Sequence, residues 1–186
     1  LPVSTHGGPP SFDAVSIGLT PGVKQQLELI SHHYDQTLEM WLLACWQSLL
    51  WRLTRVEELL IGYTYDGREF DELKKVLGPL AKSLPVTVRL SSNMRFTDVL
   101  ALTEKTVADA RAWQDYFEWS REESEAYCPF SFEFTHWPTA RHAGDVLFSV
   151  HKLYSNADRF DVKLSCVQND EALLLEVRGD TKLAGR

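Results

Sequence analysis

Cysteine is scarce in this 186-residue chain. Its three copies, Cys45, Cys128 and Cys166, are odd in number and far apart. No CxxC pair exists to clamp zinc, and no dense cysteine framework suggests a secreted disulfide scaffold. A reducing compartment, the cytoplasm, with buried thiols is the expectation. Long apolar runs are also missing. The stretch from Leu38 to Leu53 is too short for a membrane span and carries Glu39 and Arg52. The first residues lack a charged-then-apolar signal pattern. No basic run offsets a formal charge of −7, so nucleic acid and anionic membrane are poor partners. There is no GxSxG elbow, no glycine-rich phosphate loop and no metal-ligand spacing.

Apolar residues make up 44% of the chain and aromatics 11%, which excludes a disordered tail. The length suits about one domain. Residues 1–11, rich in glycine and proline, read as a linker or remnant. Residues 12–186 should form the folded unit.

Phe12 to Leu19 alternates like a strand. Thr20-Pro21 opens a helix, with threonine as cap and proline at the first helical position. Its apolar stripe is Val23, Leu27, Ile30 and Tyr34. A second helix spans Thr37 to Thr54, with the stripe Leu38, Trp41, Leu42, Cys45, Trp46, Leu49, Leu50 and Leu53. So apolar a helix belongs in the middle of the fold, against a sheet. Leu59 to Tyr65 reads as an interior strand ended by the turn Asp66-Gly67. Asp71 to Leu77 suits a short helix. Leu84 to Leu90 reads as a strand near an edge because of Pro85. A third helix runs from Phe96 to about Trp113. Beyond residue 130 the period becomes two, with strands around Phe130–Phe134, Val146–Val150, Phe160–Cys166 and Leu173–Val177. These read as a strand meander. The expected fold is α/β (α+β) in two layers, one mixed sheet covered by helices.

Few residues demand chemistry. His32 and His33 lie beside Asp35, yet helical neighbours point about 100° apart and cannot easily share a metal. A polar helix end is the plain reading. Trp41, Trp46 and Trp51 lie five apart and form no single platform, so core packing is expected. Two segments offer more. Ile61 through Arg68 leaves a buried strand into a glycine turn, from which Arg68 can reach a carboxylate with bidentate geometry. A solvated turn arginine is the alternative. Trp113-Gln114-Asp115-Tyr116-Phe117-Glu118 combines aromatics with hydrogen-bonding groups just past a helix end. That suits a cleft lining or an ordinary helix cap.

Taken in order, these segments resemble the C-terminal half of a condensation domain of nonribosomal peptide synthetases. Leu42 through Thr54 resembles the family's "LLAAWALLLHRLT" helix. Ile61-Gly62 through Asp66-Gly67-Arg68 resembles "IGTPVAGR", and Leu77 through Val86 resembles "IGPFVNTLPLRV". Phe96 to Leu100 is similar to "SFRELL", Gln114-Asp115-Tyr116 to part of "HQDYPFE", and Phe160 to Leu164 to "FDLSL". The resemblance implies one half of a chloramphenicol acetyltransferase-like pair of lobes. The other lobe of such a domain carries an HHxxxDG motif. Carrier proteins deliver phosphopantetheine-bound thioesters from opposite ends, and the acceptor amine attacks the donor thioester.

His32-His33 is not that motif, because Thr37 and Leu38 stand where it needs Asp and Gly. The resemblance therefore implies a C-terminal lobe without its catalytic histidine, ending before the family's final helix. No catalytic residue, metal or directly bound cofactor is expected. The phosphopantetheine arm of a carrier protein is expected as substrate carrier. The implied partners are the N-terminal lobe and peptidyl carrier proteins, and the isolated piece is expected to self-associate. Arg68 matches the arginine that pairs with the motif's aspartate across the lobe interface. Tyr65, Gln114, Asp115 and Tyr116 would lie near the cleft. Departures are visible: Trp113 replaces the histidine of "HQDYPFE", the following proline is absent, and Thr64-Tyr65 is bulkier than Pro-Val. They keep open a second reading, a condensation-like interaction module without activity. A third is a self-contained acyltransferase, for which His136, His142 and His151 are the late candidates, none within HxxxD.

Overall fold

The computed structural model describes residues 12–68, 70–78, 80–116, 128–137, 140–150, 160–169 and 172–180. In chain order the elements are β1 (Phe12–Leu19), α1 (Pro21–His33), α2 (Leu38–Thr54), β2 (Glu58–Tyr65), a 3-10 turn (Leu73–Lys75), β3 (Lys82–Arg89) and α3 (Phe96–Ala112). Then come β4 (Phe130–His136), β5 (Arg141–Ala143), β6 (Val146–Phe148), β7 (Val162–Gln168) and β8 (Leu173–Asp180). Six strands form one mixed sheet in the order β1-β8-β7-β4-β2-β3. The pairs β2–β4 and β4–β7 are parallel, and the other neighbours are antiparallel. Strands β5 and β6 form a separate hairpin. No helix among the described residues is long and apolar enough to cross a membrane.

The core follows from strand alternation. Leu59, Ile61 and Tyr63 of β2 and Leu84, Val86 and Val88 of β3 are all buried. The register carries the same face across Phe132, Leu164 and Val177. Helices α2 and α3 pack on one another, and both meet this half of the sheet. Leu42, Leu43, Ala44, Trp46 and Leu50 meet Val99, Leu100 and Val107 in one core. Each large side chain so buried contributes about 1.5–3 kcal/mol. The opposite sheet face is polar. There Lys163, only 2% exposed, places Nζ 2.7 Å from Glu133 Oε2.

Helix boundaries have local causes. Thr37 Oγ1 accepts the Met40 N–H at 3.2 Å and starts α2. Arg55, with φ 58°, ends it in the left-handed conformation. Asp98 accepts the backbone N–H of Arg95 at 2.8 Å and starts α3. Thr20 stands at the start of α1 as expected, but its side chain makes no capping bond.

Several expectations need correction. The last third is not a meander: β4 and β7 run parallel, and the intervening hairpin stands apart. Period-two sequence identifies strands but not their direction. The Asp71–Leu77 segment forms only the 3-10 turn, too short to bury a stripe. The buried face of α2 includes Met40, Leu43, Ala44 and Gln47, while Cys45, Leu49 and Leu53 are exposed. The helix meets the sheet on one flank and α3 on the next, so its covered arc is rotated from the predicted stripe. Gln47 and Thr103, both fully buried, join the helices through a 2.6 Å hydrogen bond. On α1, Val23, Ile30 and Tyr34 remain over 40% exposed, so that stripe is only partly covered. Cys128 and Cys166 are buried as expected, and Cys45 is not.

Gly67 needs to be glycine. Its φ is +71°, and a Cβ there would lie 2.3 Å from the Leu80 carbonyl oxygen. Gly67→Ala should cost about 1–3 kcal/mol in urea denaturation. Gly22→Ala, in open space at the start of α1, should be neutral or stabilising by up to about 1 kcal/mol. Equal effects at both positions would contradict this reading. Burial also pushes the Cys166 thiol up to about 12, with Glu39 and Glu133 adding to the shift. Burial raises the Cys45 thiol as well, but its side chain is accessible, so Ellman's reagent at pH 8 should react with Cys45 alone in the native chain, slowly, and with all three thiols in urea.

Candidate functional site: the groove between α2 and α3

Tyr63 sits near the end of β2, 1% exposed, with its ring stacked on Phe132 at 6.5 Å. Its hydroxyl reaches the gap between the start of α2 and the end of α3. There it donates to Glu39 Oε1 at 2.5 Å and accepts from Arg111 Nη2. Arg111 Nη2 also lies 3.7 Å from Glu39 Oε2. The guanidinium carbon stands 5.4 Å from the Tyr63 ring centre and 5.2 Å from that of Tyr65. One arginine thus meets a carboxylate, a phenol and two aromatic faces.

The electrostatics follow the geometry. Burial raises the Tyr63 pKa, Glu39 raises it further, and Arg111 partly opposes both. For Arg111, burial disfavours the charge, but Tyr63 and Glu39 outweigh it and raise the pKa. The phenol stays protonated and the guanidinium charged. Arg111 Nε is buried with no hydrogen-bond partner. The arrangement is a brace: it fixes positions and provides no nucleophile with an adjacent base.

Beside the brace lies an open groove of about 600 Å³. Met40, Val107, Ala108 and Ala112 supply apolar lining, and Glu39, Glu104, Arg111, Gln114 and Asp115 supply polar groups. Lys82 of β3 reaches the Gln114 carbonyl and Asp115 Oδ1, both at 3.4 Å. Glu104 accepts from Gln36 at 2.9 Å across the groove mouth.

The five residues singled out from sequence do not converge on one point. Tyr65 lies against Arg111, and Gln114 and Asp115 line the groove. Tyr116 is 82% exposed, edge-to-face with Trp113 at 5.7 Å. Arg68 is held in its own turn: Nη1 lies 2.5 Å from Asp66 Oδ1, and Nη2 donates to the Gly78 carbonyl at 3.0 Å. Sequence reasoning missed Glu39, Tyr63 and Arg111. A signal existed for Glu39, the one carboxylate on an otherwise apolar helix. Nothing in local pattern announces Arg111, which reads as a favourable cation in the last turn of α3.

This geometry can be set beside known proteins. The family model described as "Condensation domain" matches residues 5–125, well over half of the chain. The chain belongs to the condensation-domain family. Surfactin synthase subunit 1 of Bacillus subtilis (strain 168) is 28% identical over 181 residues, covering 92% of this chain and 5% of that protein. One of the linear gramicidin synthase proteins of Brevibacillus parabrevis is 29% identical over 185 residues, covering 93% of this chain and 4% of that protein. The chain therefore spans a small part of the curated relatives it matches. Among solved structures, the first condensation domain of the calcium-dependent antibiotic synthetase, in complex with substrate analogue 3a, superposes with TM-score 0.77 at 16% identity. The match covers 98% of this chain and 42% of that one. The condensation domain from the Monacolin K polyketide synthase MokA gives TM-score 0.74 at 20% identity, covering 97% and 45%. The fold is the chloramphenicol acetyltransferase-like mixed sheet of those domains.

Tyr63→Phe removes the hydroxyl that joins Glu39 to Arg111 and should cost about 1–3 kcal/mol in urea denaturation at pH 7. The native state holds Tyr63 protonated, with its pKa raised above the ordinary value near 10. Its stabilisation is complete below the unfolded value near 10, begins to fall there, and is lost by the time pH has passed the raised native value. The wild type should therefore lose more stability between pH 9 and pH 11 than Tyr63→Phe does. Parallel pH curves would contradict the brace.

Proposed function

We propose that this chain is the C-terminal lobe of a condensation domain that forms amide bonds in nonribosomal peptide synthesis, and that it is inactive alone. The reaction joins a carrier-bound acyl or peptidyl thioester to a carrier-bound aminoacyl group. The acceptor amine attacks the thioester carbonyl, the C–N bond forms and the C–S bond breaks. The amine proton leaves and the phosphopantetheine thiol is released. Catalysis then rests mainly on holding amine and thioester in a near-attack arrangement. One observation carries the reading: 98% of the chain superposes on only 42% of a condensation domain, while its sequence contains no HHxxxDG.

On this reading the chain supplies a wall of the tunnel. Tyr65, backed by the Arg111 brace, and Gln114 and Asp115, backed by Lys82, set the shape of that wall. The N-terminal lobe supplies the motif histidine, and peptidyl carrier proteins dock to deliver their phosphopantetheine arms. No group within this chain is assigned proton transfer. A second reading, an interaction module that keeps the fold without the reaction, is favoured by Trp113 standing where the family motif has histidine.

Amide formation from carrier-bound donor and acceptor thioesters, followed by mass spectrometry, tests both. The chain alone should give no product above the uncatalysed rate. Mixed with a separately produced N-terminal lobe carrying HHxxxDG, it should form product. Turnover by the chain alone would overturn the first reading, and no product from the mixture would favour the second.

A further inference from the structure

The charge of Arg68, an expected interface residue, is already answered within the chain. Its guanidinium bonds Asp66 through Nη1 and the Gly78 carbonyl through Nη2. The backbone makes this arrangement a closed turn. Gly67 has φ +71°, and its α-carbon packs so near the Leu80 carbonyl that no side chain fits. Residues 66–68 are thereby held against Gly78 and Leu80, with Arg68 bonded to Gly78. The Arg68 side chain is only 26% exposed, whereas that of Asp66 is 69% exposed. The carboxylate is thus the more exposed member of the pair, and it occupies Nη1 of the guanidinium.

We propose that Asp66 is a built-in competitor for Arg68, weakening the hold of this lobe on the carboxylate of a partner lobe. The inference rests on the reading of Arg68 as an interface residue of a C-terminal lobe. A carboxylate arriving from another lobe meets a guanidinium whose Nη1 is already donated, and a like charge beside it. Two carboxylates cannot both have the full attraction of one cation. The residue at this point matters because the "IGTPVAGR" pattern that the segment resembles has alanine where this chain has Asp66. Alanine would leave Arg68 Nη1 without this carboxylate. The effect is graded: an exposed ion pair can offset an incoming one by no more than about fivefold in affinity. Asp66 thus loosens the two-lobed clamp and does not block it.

The test is a calorimetric titration of the 186-residue chain with a separately produced N-terminal lobe carrying HHxxxDG. Asp66→Ala should bind about two- to fivefold tighter than wild type at low salt, and Asp66→Lys tighter still. The gain should shrink toward nothing as ionic strength rises. With Arg68→Ala in place, Asp66→Ala should give no gain, which a double-mutant cycle reads directly. A misfolded variant loses affinity, so a gain cannot come from damage. Unchanged or weaker binding by Asp66→Ala, or an equal gain without Arg68, would overturn the proposal while leaving the lobe assignment intact. Failure of wild type and every variant to bind the lobe would overturn the lobe assignment and the proposal with it.

Discussion

The hydroxyl of Tyr63 is the point on which the rest of the site depends. It is fixed from below by the sheet, through ring stacking on Phe132, and from the sides by Glu39 and Arg111. Three elements distant in sequence meet there: the first turn of α2, the end of β2 and the last turn of α3. A buried phenol left unpaired costs about 1–3 kcal/mol, and a buried charge costs more. The three groups are therefore tolerable only together. Glu39 and Arg111 so held also line the groove.

The sheet has two unlike faces, and this organises the molecule. One is apolar from β3 to β8 and takes the helices over β2 and β3. Toward β1 that cover runs out, leaving Val15 and Ile17 more than half exposed. The other face carries Ser131, Lys163, Glu133, Glu176 and Arg178, whose ionic members lie within 4 Å of opposite partners. Among the described residues the apolar face is therefore covered on one side only, and the chain matches 42–45% of the solved condensation-domain chains.

Much of the fold was legible in the amino-acid order. The spans of α2, β2, β3 and α3 follow from apolar period, from Thr37, and from Pro85 on an edge strand. Strand direction was not legible, because parallel and antiparallel partners share one alternation. That is why the strands after residue 130 read as a consecutive meander, whereas β7 lies directly beside β4 and parallel to it. The exposure of Cys45 and the burial of Gln47 were hidden for a related reason. Which arc of α2 is covered depends on where α3 lies, which a single helical pattern does not contain. The site was legible only in part. Gln114 and Asp115 stood out as polar groups among aromatics, and both line the groove. Arg111 and Tyr63 acquire meaning only from the distance between them. The ion pair of Arg68 with Asp66, two residues away, was available to local reasoning and was passed over.

Hydrogen exchange measured by mass spectrometry, on the chain with and without an HHxxxDG-bearing N-terminal lobe, tests the two-lobed account most directly. The account predicts slower exchange on mixing around Tyr65 to Arg68 and Ala112 to Tyr116, with the exposed face of α1 unchanged. Protection confined to α1, or none anywhere at saturating lobe, would contradict it.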